Sequence, residues 1–109
     1  MTGASPIDLV HLARQTGGDT DLELELLALF SDQCVKHLDT IRHANAKLGS
    51  DAAHTLKGAA RAIGAWHVAE TAERVEHALS HRSVAEGFGE LAVAADEARS
   101  AIARISKAA

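Results

Sequence analysis

Tyrosine is absent from these 109 residues, and the chain has two phenylalanines, one tryptophan, one proline and one cysteine. A lone cysteine, Cys34, rules out an internal disulfide framework. It falls on an apolar helical stripe and reads as a small buried hydrophobe rather than a redox or catalytic thiol. With Pro6 the only proline, about a hundred residues are free of the strongest helix breaker. No apolar run approaches the ~20 residues of a membrane span, and the basic and apolar regions of a signal peptide are missing at the N-terminus. Cytoplasmic residence without membrane association is therefore expected. Low-complexity and long polar tracts are lacking too, which argues against extended disorder. What the chain has is alanine. Apolar residues make up 47% of it and aromatics 3%, and such small side chains let helices approach closely around a thin core.

Helical periodicity accounts for nearly every segment. Ser5-Pro6 resembles an N-cap with proline at the first helical position, and a short helix over about 5–15 presents Ile7, Leu9, Leu12 and Ala13 before Gly17-Gly18 stops it. A long second helix, about 19–48, opens with Asp21, Glu23 and Glu25 at its positive dipole end. Its stripe runs Leu24, Leu27, Phe30, Cys34, Leu38, Ile41 and Leu48, with Gly49 as C-cap. Ser50 or Asp51 then caps a third helix, about 51–63, with Leu56, Ala60 and Ile63 inward and Gly64 at its end. A fourth helix, about 66–80, turns Val68, Ala72, Val75 and Leu79 inward, and the next turn falls within "SHRSVAEGFG". A last helix, about 87–106, carries Phe88, Leu91, Ala95, Ala98, Ile102 and Ile105. Short connections imply antiparallel neighbours. The expected fold is all-α, an up-down antiparallel four-helix bundle with a short additional N-terminal helix, forming one domain over 1–109. Met1 and the compact length are what a separate protein would show.

The formal net charge of −4 argues against a nucleic-acid partner, and its distribution says more. Lys36 to His67 carries +3, so the remainder carries −7. Within this basic island, the inward stripe of the third helix puts His54, Lys57, Gly58 and Arg61 on the opposite, exposed face. A glycine inside a helix costs about 1 kcal/mol against alanine, yet Gly58 follows His54 by one turn. An exposed neutral imidazole has one unprotonated nitrogen and can attack phosphorus. Gly58 removes a side chain that would obstruct a phosphorylated carboxylate on another protein, while Lys57 and Arg61 can neutralise the arriving group. Arg61, Lys47, His43 and Ala65 form the expected partner-facing set. Glu70, Glu73 and Glu76 read as the wet face of the fourth helix.

The segment "HTLKGAARAIGA" is similar to the signature H-x-L-K-G-x-x-x-x-x-G-A of histidine-containing phosphotransfer (HPt) domains. "PIDLVHLARQTGGDTDLELELLALF" and "VAETAERVEHAL" extend the resemblance over roughly residues 5–80, with a compatible last helix. The resemblance implies relay of phosphoryl groups between receiver domains of hybrid histidine kinases and response regulators. By position, His54 is the phospho-acceptor through Nε2, Lys57 the stabilising cation and Gly58 the access residue, with Gly64-Ala65 at a tight hairpin. It also implies no kinase or ATPase activity and no cofactor of its own, Mg²⁺ being supplied by the receiver. The lack of a phosphate-binding glycine loop and of clustered carboxylates near His54 agrees with this. Trp66, bulkier than the family pattern suggests after Gly-Ala, reads as a core cap or part of a docking rim.

Other classes remain in view. The dimerising hairpin of a sensor histidine kinase follows its histidine with an acidic residue and then a proline, and "HTLKGAA" has neither. A monomer is expected instead. A non-catalytic helical adaptor that binds a receiver or kinase domain differs only in lacking the nucleophile. His77 and His81, four apart, could ligate zinc, but no third ligand is evident. His11, His37, His43 and His67 read as surface residues, with His43 and His67 near the rim of the basic island.

Overall fold

In the computed structural model, which describes residues 5–81 and 86–109, short polar side chains start three of five helices. The helices are α1 (Leu9–Thr16), α2 (Thr20–His43), α3 (Ala46–Ile63), α4 (Trp66–Ser80) and α5 (Phe88–Ala108), with no strand among the described residues. Asp8, Asp19 and Asn45 cap α1, α2 and α3, each side chain accepting a backbone N–H of the first turn at 2.9–3.0 Å. α2 packs on α3, α3 on α4, α4 on α5 and α5 back on α2, while α1 lies against α2 and α3. Leu27, Phe30 and Cys34 of α2, Leu56 of α3, Val75 of α4 and Leu91 of α5 are wholly buried in the shared core. Burying one such Leu or Phe side chain stabilises the fold by roughly 1.5–3 kcal/mol.

The inward stripes agree with the sequence except at Leu9 and Leu48, which are exposed, and two boundaries also differ. α1 starts at Leu9 rather than near Ser5, because Asp8 is the cap and residues 5–8 run as a strap. Ile7 is buried, and the Asp8 N–H donates to Gly64 O at 2.9 Å. α2 ends at His43 rather than 48, and α3 begins five residues earlier than expected. Ala44 turns extended, Asn45 caps, and Gly49 is buried inside α3 instead of ending α2. Its role is close approach: a β-carbon there would lie 3.1 Å from Leu79 Cδ1 and 3.7 Å from Ile41 Cα. Ser50 and Asp51 are not caps; Ser50 Oγ meets Ser80 Oγ at 3.1 Å, and Asp51 pairs with Lys47. Leu48 accordingly leaves the α2 stripe and is exposed. The turn expected within Ser80–Gly89 falls partly outside the described residues.

The α3–α4 hairpin is the part that positions the site. Gly64 ends α3 at φ +83, where it closes the turn against the strap, and α4 starts two residues later. Trp66, on the first turn of α4, donates from Nε1 to Asp8 Oδ2 at 3.0 Å and meets the His11 ring edge-on at 4.7 Å. It therefore ties the N-terminal strap to the hairpin tip. His11, expected on the surface, is half-buried beside it.

Candidate functional site

Burial of Leu56, Ala60 and Ile63 turns the other side of α3 outward, and there the His54 side chain is 67% exposed. Its ring is nonetheless held. Nδ1 lies 2.8 Å from Glu76 Oε2 on α4. Burial pushes the Glu76 carboxyl up, but hydrogen bonds from Lys57 and His54, with their charges, outweigh it and hold the group below its ordinary value. The carboxylate is ionised at neutral pH and can only accept, so Nδ1 carries the proton. The lone pair of the neutral ring is then on Nε2.

The cations beside His54 differ from the expectation of an open positive face. Lys57 is 13% exposed, and its Nζ is 2.8 Å from Glu76 Oε1 and 3.9 Å from Glu73 Oε1. The expectation that Lys57 stands on the exposed face is corrected accordingly; its ammonium lies against two glutamates of α4. Arg61 is 52% exposed, with one 3.4 Å contact, to Glu73, among the described residues. Lys47 pairs with Asp51 at 3.0 Å and His43 with Asp39 at 3.0 Å, both on the surface. Pairs this exposed are worth at most about 1 kcal/mol and are screened by salt. Ala65 is 0% exposed, which removes it from the partner-facing set, since the tight turn packs it into the core.

At Gly58 the surface is open. A β-carbon built there meets nothing within 4 Å among the described residues, and its backbone is ordinary helix. Neither packing nor backbone conformation demands glycine, in contrast to Gly49 and Gly64. The gap faces outward, one turn from His54.

Glu76 is the site residue that sequence reading missed: expected on the wet face of the fourth helix, it lies against His54, while Glu73 flanks Lys57. A signal for it was present. His54 stands eleven residues before Ala65 and Glu76 eleven after it, and Ser50 and Ser80 are likewise equidistant. In an antiparallel hairpin of equal rise per residue, such positions meet. Elsewhere, His77 and His81 stack at 4.2 Å, and His81 Nδ1 donates to His77 O at 2.8 Å. No group of three or more His, Cys, Asp or Glu among the described residues is placed to hold a metal ion. No helix of the described residues is long and apolar enough to cross a membrane.

A family model described as Hpt domain matches residues 25–108. The match takes in α3, α4 and the whole His54 cluster and leaves the strap and α1 outside. No curated protein and no solved structure matches the chain.

Proposed function

The chain belongs to the Hpt domain family, and on that premise we propose that it relays phosphoryl groups between receiver-domain aspartates through phosphohistidine at His54. The observation that carries this is an outward imidazole, its Nδ1 held by Glu76, standing beside the unfilled space at Gly58. In the forward step the Nε2 lone pair attacks the phosphorus of the receiver's acyl phosphate. An N–P bond forms as the P–O bond to the aspartate breaks, and the carboxylate leaves with the electron pair. The Nδ1 proton stays in place, so the positive charge that develops on the ring faces the Glu76 carboxylate. Donation to a second receiver reverses these bonds. The divalent ion of this chemistry belongs to the receiver, and this chain contributes position and charge.

A receiver docks on the α2–α3 side of His54 in this reading, with Arg61 and Lys47 at the rim. Exposed Leu29 on α2 and Leu48 on α3 offer apolar contact. The up-down antiparallel arrangement, one domain over 1–109, a monomeric state and cytoplasmic residence belong to the same proposal. The closed ring of helix contacts supports the first. The test is transfer of labelled phosphate from phosphorylated receivers of the source organism. Label is expected on the wild-type chain and not on His54→Gln, whose helicity and melting are unchanged. A receiver complex without label would favour the adaptor and reject the relay.

A further inference from the structure

The end of α4 carries a pair of histidines that the relay leaves unused. His77 and His81, one helical turn apart, stack at 4.2 Å between ring centroids. We propose that the two imidazoles chelate a divalent transition metal of borderline softness, for which zinc is the probe, at a site separate from the phosphoryl chemistry of His54. Two nitrogens bound to one zinc ion lie at most about 4.2 Å apart, twice a Zn–N bond. The helix therefore already holds the rings within chelating range. No third side chain is placed to join them among the described residues, so water fills the other coordination positions.

The surroundings of the pair favour a cation. His81 Nδ1 donates to His77 O at 2.8 Å, which puts the ring proton on Nδ1 and the lone pair of the neutral imidazole on Nε2. Metal-binding histidines almost always donate their other N–H in this way, and the bond fixes tautomer and ring orientation before the ion arrives. His77 O is also one of the last carbonyls of α4, at the negative end of the helix dipole. The cleft beside both rings is lined by Glu73, Glu86 and Glu90 as well as Arg74. Three carboxylates against one guanidinium make it attractive to positive charge, and Arg74 is itself paired with Glu90 at 2.9 Å. Imidazole suits zinc, nickel and copper, whereas magnesium and calcium prefer oxygen ligands. A bound ion ties His77 to the C-cap at His81 and so holds the last turn of α4 against fraying.

The experiment titrates zinc chloride into the full chain at neutral pH, followed by calorimetry and by nitrogen NMR of the histidine rings. Wild type is expected to bind one ion per chain. His77→Gln and His81→Gln should each bind it roughly a hundredfold more weakly, the lower end of what joining two weak contacts provides. The double variant should be no weaker than either single one, because one imidazole alone does not chelate. Both residues are exposed, and unchanged ellipticity checks that the variants fold. In the wild-type chain, zinc should shift Nε2 of His81 while Nδ1 keeps its proton. His43→Gln, which alters another exposed histidine, should bind as wild type does, and about a hundredfold excess of Mg²⁺ should leave the isotherm unchanged. Absence of binding, or one bound ion that survives both substitutions, would overturn the proposal. So would displacement of zinc by Mg²⁺, which would put the ion on the carboxylates instead. The titration needs no receiver, so its outcome is independent of the relay reading.

Discussion

Replacing Gly58 separates what the fold needs from what a visitor needs. Alanine at an interior helix position is favoured over glycine by roughly 0.8–1 kcal/mol. Among the described residues nothing within 4 Å of the new β-carbon opposes that gain. In a domain of this size 1 kcal/mol corresponds to about 4 °C or more in melting temperature. Gly58→Ala should therefore melt about 3–5 °C higher, followed by helical circular dichroism. Gly58→Leu should fold at least as well as wild type, because its larger side chain extends into the same open space. Transfer from a receiver should nevertheless fall about tenfold or more in Gly58→Leu, a loss of ~1.4 kcal/mol of docking or transition-state stabilisation. Phosphoramidate, which brings no protein surface with it, should label Gly58→Leu within about twofold of wild type. A Gly58→Ala variant less stable than wild type would refute the open-space argument. Receiver transfer at wild-type speed in Gly58→Leu would refute the access argument.

Three further outcomes follow from the same structure. Gly64→Ala places a β-carbon at φ +83 and 2.9 Å from both Cβ and O of Asp8; it should cost about 2 kcal/mol or more in a denaturant titration. The Glu76 carboxyl is lower in the folded chain than its ordinary 4.5, so the unfolded state binds the proton more readily between the two values. Its stabilisation is complete above 4.5 and is lost as pH falls through the folded value. The melting difference between wild type and Glu76→Gln should thus shrink in acid. Burial pushes the Cys34 thiol up to about 12, and a thiol reagent at pH 8 should modify it only on the timescale of unfolding.

The apolar stripes were legible because steps of three and four admit one inward face, and Leu27, Phe30, Cys34 and Ile41 all lie on it. His54 and Gly58 were legible for the complementary reason: once Leu56 and Ile63 are inward, the opposite face is determined. Reading failed where one residue had two uses. Gly49 can stop a helix or let two helices touch, and only the placement of Leu79 and Ile41 decides between them. Asn45 interrupts a stripe in one dimension but caps a helix in three. The electrostatics were least legible. A count of charges along Lys36–His67 treats Lys57 as available, whereas its partner Glu76 lies on the next helix. Charge counting within a segment ignores the antiparallel neighbour that folding supplies.

The only indole in the chain bridges the strap and the hairpin tip instead of lying within the core, hydrogen-bonded to Asp8 and edge-on to His11. Its fluorescence is consequently a local gauge. Emission should respond when residues 5–8 detach, whether or not the four long helices have lost their backbone hydrogen bonds. Melts followed by emission and by ellipticity can then have different midpoints, and a gap between them would measure how independently the N-terminus peels away.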